Sequence, residues 1–464
     1  MVYSSAVFLF YFLPLLLAGY HLLPKTWFRN IFLFLASMLF YAWAEGTMLI
    51  LLLGIAFSAW LFSYLIAKTR FSRLFVYLAV ILYVAVLFYY KYLGFFINDV
   101  FNLDGDGLSH FKLMMPVGVS FFVFQAISYV IDVHRRRDCY EKNPFHVILY
   151  ITMFPQLISG PLVRYQQLGP QLKLRTYSFD MFAVGIRRFM AGLAKKVLIA
   201  DTLGLLVRQI MDTETQFLGA SAAWIGIIAF TLQLYYDFAG YTDMAIGVGK
   251  MLGFDLPENF NFPYISRSIA EFWRRWHMTL SAWLRDYVFM PLSLNTRRRG
   301  RAGVFFSLMI TFTLCGIWHS PGWNFLIWGA IHGLFLGLEQ LFLGKYLVKL
   351  KAAAFIYTLF ILITSFVFVR TRDVHHALEY LGTMFSPGEY TALGPEAFLA
   401  PQYIVIMIIG IIFCFPLKLP PRLTNGSLAG ALQTVKIILL LVLFLLSAMA
   451  VTTETYNPFL YFKY

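Results

Sequence analysis

Charge, cysteine and repetition are what this sequence of 464 residues has little of. Only 13% of its residues are Asp, Glu, Lys or Arg, about half the share of a soluble domain. A water-soluble globule is thereby excluded, and the chain is an integral membrane protein. It has three cysteines, Cys139, Cys315 and Cys414, without metal-ligand spacing. Nothing in that spacing suggests a disulfide framework, a zinc site or a thiol nucleophile. With no internal repeat, low-complexity tract or soluble domain, residues 1–464 are expected to form a single membrane-embedded domain. The run from Ala6 to Leu23 has neither a basic leader nor a small-residue cleavage site, and is expected to be a retained first helix.

What the chain has instead is apolar length: 60% of its residues are hydrophobic and 19% aromatic. Ile31–Trp43, Met48–Ala67, Leu74–Tyr90, Ala353–Val369, Tyr403–Pro416 and Val435–Met449 fit, with their flanks, the roughly 20 residues of a spanning helix. The expected fold is all-α and polytopic, with about eleven transmembrane helices plus re-entrant and interfacial pieces. Pro144–Pro161, apolar but broken by Pro155 and Gly160 between basic flanks, is expected to be re-entrant. Arg164–Lys196 is expected to lie along the interface, with Val197–Ile210 crossing outward.

The net charge of +14 could suggest nucleic acid, but its distribution argues against that partner. Lys25 and Arg29, then Lys68, Arg70 and Arg73, then Arg135–Arg137 fall on one side of the successive spans. Asp99, Asp104 and Asp106 fall on the other. This alternation follows the positive-inside rule and places the N- and C-termini outside the cytoplasm. The basic balance is therefore mostly topology, with membrane lipid as the partner.

Leu234–Gly333 departs from this pattern. Tyr235-Tyr236-Asp237-Phe238-Ala239-Gly240-Tyr241-Thr242-Asp243, Asn259–Tyr264, Glu271–His277 and Gly316–His319 bring carboxylates, amides, arginines and histidines into an apolar chain. A charge at the bilayer centre costs at least about 2.5–3.5 kcal/mol, so such groups line cavities or carry chemistry. His319 closes an apolar helix just before Pro321-Gly322, where a neutral imidazole can act as general base. Were Glu271–Ser281 one helix, Trp273, His277 and Ser281 would share a face and Glu271 would pair with Arg274 or Arg275. This segment is either an interfacial helix or a basic cytoplasmic mouth for a phosphate-bearing donor such as coenzyme A. Asp237 and Asp243 are expected to pair with an arginine of the following segment, or else to couple ions in a transporter. Asn259 and Asn261 are turn-formers first and ligands second.

In these residues the chain resembles the membrane-bound O-acyltransferases, and within them the bacterial branch containing the membrane subunit of alginate O-acetyltransferase. The matching stretches are Val2–Pro14, Met153–Arg164, Lys195–Leu203, Leu234–Gly247, Glu258–Tyr287, Gly316–His319, Trp328–Gly333 and Tyr456–Tyr464. Ser320-Pro321 departs from the glycine that often follows the histidine in relatives. The resemblance implies acyl transfer in a bundle whose two funnels meet at a membrane-embedded histidine, His319, with His277 as the second catalytic position. It implies a bacterial inner-membrane enzyme with acetyl-coenzyme A as donor substrate and no bound cofactor. Arg274, Arg275, Trp276, Asn261 and Asp237 are the candidate donor-binding residues, and an extracytoplasmic acetyltransferase is the expected partner. The product would be an O-acetylated envelope polysaccharide. Peptidoglycan O-acetylation, D-alanyl transfer and, in another class, a secondary transporter are the alternatives. In the aromatic ending Tyr456–Tyr464, Tyr461 is a candidate acyl carrier because a phenol can act as a covalent nucleophile; the alternative is a headgroup anchor.

Overall fold

A computed structural model describes residues 1–101, 115–158, 160–386, 393–417 and 427–453. Tyr461 and the rest of the ending lie outside the described residues. Among the described residues there is no strand, only an isolated bridge between Leu218 and Leu393. This is the all-α fold expected from composition: hydrocarbon offers the backbone no hydrogen bonds, so each element must satisfy its own. Seven helices among the described residues are long and apolar enough to cross a membrane, and Phe8–Leu22 and Pro401–Phe413 are shorter apolar helices.

The chain divides into two compact units. The first, Met1–Phe189 with Thr242–Pro257, begins with α1 (Leu13–Leu22), α2 (Thr26–Glu45), α3 (Leu49–Lys68) and α4 (Ser72–Leu87). It continues with α5 (Val119–Arg135), α6 (Pro144–Thr152), α7 (Tyr165–Lys173) and most of α8 (Phe179–Ala194). Helix α6 is 9 residues long, too short at about 1.5 Å per residue to cross a bilayer, and it stops at Met153 before a second short turn, Phe154–Leu157. Both features suit the re-entrant reading. Phe154 packs its ring against Phe12 and Phe40 at centroid distances of 5.5 and 5.1 Å. Asp243 is paired with Arg188 at 2.9 Å, so its partner lies earlier in the chain, not in the following segment.

The second unit, Met190–Tyr241 with Glu258–Tyr464, holds every candidate site residue inside the described range. Its helices are α9 (Thr202–Met211), α10 (Ala220–Met251, of which the residues after Tyr241 belong to the first unit), α11 (Ile269–Arg275) and α12 (Met278–Leu284). Then come α13 (Gly300–His319), α14 (Trp323–Leu338), α15 (Lys351–Arg370), α16 (Val374–Phe385), α17 (Pro401–Phe413) and α18 (Ser427–Thr453). The expected break near Lys196 between an interfacial and a crossing helix is absent. A π-helical segment, Lys195–Asp201, joins α8 to α9 in one continuous helix. Such wide turns occur inside α-helices, frequently at functional sites. Here the turn carries Lys196, whose ammonium reaches Asp201 at 2.6 Å and Asp237 at 2.7 Å. Close packing makes this possible: a Cβ on Gly240 would lie 2.7 Å from the Gly192 carbonyl oxygen, so only glycine lets α10 approach so near.

Candidate active site

The position of His319 follows from how α13 and α14 cross. A Cβ on Gly316 would collide with the Phe325 carbonyl and lie 3.0 Å from the Gly329 Cα; one on Gly329 would collide with the Phe312 carbonyl. A Cβ on Gly333 would lie 3.0 Å from the Met309 Cα, and one on Gly337 would collide with the Phe305 ring. Gly329, Gly333 and Gly337 recur every four residues along one face of α14, the small-residue pattern by which helices approach closely in membranes. The chain leaves α13 after His319, where Ser320 turns to extended backbone (φ −150°, ψ 142°). The half-buried imidazole lies with its ring 5.2 Å from that of Trp328 and nearly perpendicular to it, at 85°.

Behind Trp328 lies His332, 4.9 Å away between ring centroids and 0% exposed. Its Nδ1 is 3.2 Å from the Trp273 indole nitrogen, which can only donate. His332 is therefore protonated on Nε2, which donates to Ser365 Oγ at 3.3 Å. Both its nitrogens are satisfied, so His332 holds Trp273 rather than offering a base. The Trp328 indole nitrogen, by contrast, is buried without an acceptor among the described residues.

The polar segment before α13 is built differently. Glu339, a carboxylate within an apolar helix, accepts from the Ile269 and Ala270 backbone N–H groups at 2.6 and 2.9 Å. The N-cap Ser268 accepts from Glu271. Together they satisfy the orphan donors that open α11. The helix stops at Arg275, and His277 adopts a left-handed conformation (φ 42°, ψ 53°). Trp273, His277 and Ser281 therefore do not share a helical face as a single helix would require. Backbone bonds from Asn261 N to Arg275 O (2.9 Å) and Met278 N to Asn259 O (2.9 Å) hold the turn against Asn259–Asn261.

His277 is 0% exposed, and burial pushes its pKa down to about 3, so it is neutral at physiological pH. A neutral imidazole gives no charge to a phosphate. Its Nδ1 lies 3.1 Å from Asn259 Oδ1. Trp276 is buried, its ring 5.4 Å from Phe272 and 5.0 Å from Phe260. Arg275 is taken up by Glu271 (2.9 Å) and the Asn261 carbonyl (3.2 Å), which settles which arginine pairs with that glutamate. Arg274 and Asn261 are exposed. Asp237 is buried on Lys196, whereas a later arginine was the expected partner.

Arg275, Trp276, His277 and Asn261 are thus brought into one turn, and Asp237 is committed elsewhere. The two histidines are joined by rings in successive contact: Trp328, Trp273, Phe272, Trp276, Phe260 and Phe238, with Phe238 lying 4.7 Å from His277. Glu339 and His332 as supports, and Lys196 as a partner of Asp237, are not evident from the sequence. The one available signal was charge inside an apolar run, as at Glu339 and at the Lys195-Lys196 pair.

Apolar helices long enough to cross a membrane, with an imidazole at the end of one of them, define a class, the polytopic membrane proteins. The model of the membrane-bound O-acyltransferase family matches residues 35–346, and the chain belongs to that family. It is 35% identical, over the whole of both chains, to "Probable alginate O-acetylase AlgI" of Pseudomonas putida. It is 39% identical to the protein of the same name from Pseudomonas aeruginosa, over 84% of this chain and 76% of that one. It is 32% identical to a peptidoglycan O-acetyltransferase of Helicobacter pylori, over 83% of this chain and 80% of the relative. The chain is accordingly a multi-pass membrane O-acyltransferase, and the transporter alternative falls.

Proposed function

We propose that the chain takes an acetyl group from cytoplasmic acetyl-coenzyme A and passes it through the bacterial inner membrane for O-acetylation of an envelope or secreted polysaccharide. The observation that carries this reading is the His319 imidazole, set by glycine packing at the end of α13 in a member of an acyltransferase family. His319 acts as general base: it accepts the proton of a carrier hydroxyl, for which Tyr461 is the candidate, while that oxygen bonds to the thioester carbonyl carbon; the acetyl ester so formed is what the extracytoplasmic transferase passes to the glycan. The tetrahedral oxyanion then collapses, breaking the carbon–sulfur bond, and the proton leaves with the thiolate as free thiol. The buried indole N–H of Trp328, beside the His319 ring, is the donor we assign to that oxyanion. Arg274 is exposed, and its guanidinium is the group we assign to the donor phosphates. The polysaccharide acceptor is favoured by the extent of the match to the alginate proteins, and a separate extracytoplasmic transferase completes the transfer.

His319→Ala should lower acetylation of the glycan by about 10²–10⁴-fold while the protein still inserts at its normal level. Acetylation at the wild-type rate in that variant removes His319 as the base. Failure of the purified wild-type protein and its partner to release coenzyme A thiol removes the donor assignment.

A further inference from the structure

Beside the proposed base, the second histidine carries a feature of its own. Asn259, His277 and Thr279 form a closed buried group, with His277 0% and Asn259 1% exposed. Asn259 Oδ1 lies 3.2 Å from the Thr279 backbone nitrogen, 2.8 Å from Thr279 Oγ1 and 3.1 Å from His277 Nδ1. A backbone N–H can only donate, so the atom facing it is the amide oxygen and the side chain cannot be flipped. An amide oxygen can only accept, so His277 Nδ1 must carry the proton. In a neutral imidazole this leaves Nε2 as a bare lone pair. That atom and Asn259 Nδ2 are both buried without a partner among the described residues. A buried acceptor and a neighbouring buried donor left open together are costly, at about 1–3 kcal/mol each, unless something else meets them. The left-handed backbone of His277, rare for residues other than glycine, gives the turn that sets the ring against Asn259.

We propose that Asn259 is a positioning residue: its side-chain oxygen locks His277 as the Nδ1-protonated neutral tautomer and so presents the Nε2 lone pair to a hydrogen-bond donor of the amide N–H kind. The identity of that donor as the arm of the acyl thioester rests on the function proposed above; the lock itself does not. A phosphate is the wrong ligand for Nε2, because it offers acceptors to an atom that can only accept.

The test is a nitrogen NMR spectrum of the full chain labelled with ¹⁵N-histidine, the His277 signals being assigned by their loss in His277→Ala. The wild type should show a protonated Nδ1 and an unprotonated Nε2. Thr279→Val, which keeps the Thr279 N–H, should leave that pattern in place, and Asn259→Asp should keep it because a carboxylate also accepts. Asn259→Leu should abolish the preference. A wild-type signal protonated at Nε2, or an unchanged spectrum in Asn259→Leu, overturns the lock. Thiol release from acetyl-coenzyme A supplies the second reading. In the His277→Ala background, adding Asn259→Leu should cost no more than about twofold, whereas independent structural damage would multiply. Asn259→Asp should move the acid limb of the pH profile upward, since a carboxylate beside the imidazole favours its charged form. If no thiol is released by any form, the acyl-donor reading fails while the spectrum still decides the tautomer.

Discussion

Two histidines are fixed in this protein by opposite means. His319 sits at the end of a long helix, and its place is set by backbone: glycines on α13 and α14 let two carbonyl-lined surfaces meet without side chains between them. His277 sits between two short helices, and its place is set by the hydrogen bond it donates to Asn259 and by a left-handed turn. The first arrangement suits a region where apolar burial gives helices no preference among neighbours, so packing and small residues decide. The second suits an irregular polar segment, where each backbone group must find its own partner. The His319 site should therefore fail through bulk, and the His277 site through lost acceptors and altered protonation.

The largest effect that would sharpen this contrast is expected at Trp328. Trp328→Phe keeps a ring against His319 but removes the indole N–H, and loss of one oxyanion donor lowers turnover by about 10²–10³-fold. Turnover within a few-fold of wild type would take Trp328 out of the chemistry and leave it as packing. Gly329→Leu should come next. Overpacking costs about 1–3 kcal/mol, to be read as a lower melting temperature in detergent together with loss of acetylation, whereas adding bulk at exposed Asn261 should do neither. Equal melting temperatures for Gly329→Leu and wild type would break the account of His319 positioning.

The pH response separates the two sites more gently. His277 has a folded pKa of about 3 against an ordinary value of 6.5. Below the ordinary value the unfolded chain binds a proton that the folded chain does not, so this histidine makes stability fall as pH drops from about 6.5 towards 3. The slope is up to about 1.4 kcal/mol per pH unit. His277→Gln should flatten the melting temperature measured across that window; an unchanged slope would place the imidazole in contact with water. The smallest effect belongs to the arginines. Arg274→Ala should weaken donor binding and reduce its salt sensitivity, with melting unchanged, because an exposed charge is screened by ions. Arg275→Ala should instead cost up to about 1 kcal/mol of stability through its Glu271 pair. Titrations with acetyl-coenzyme A at two salt concentrations, with paired melting curves, distinguish them; identical behaviour of the two variants would contradict their different settings.

The sequence by itself determined the class of the protein and the kind of its elements. Scarce charge and long apolar runs admit only helices in a membrane, and apolar length marks α13 and α14. The polar interruption between Leu234 and Gly333 marks the candidate site, and His319 before Pro321-Gly322 is legible as a helix end. That Glu271 pairs with Arg274 or Arg275 was legible, because both lie about a helical turn away, and the fold selects Arg275. Only the tertiary structure decided the rest. Lys196 as the partner of Asp237, Glu339 as the cap of α11, His332 as the support of Trp273 and Asn259 as the acceptor for His277 all join residues distant in sequence. Hydrophobicity and periodicity are local properties, read over a turn or two of helix. The choice of partner for a buried polar group is made by whichever distant group the packed helices bring within about 3 Å, and no local pattern records that distance.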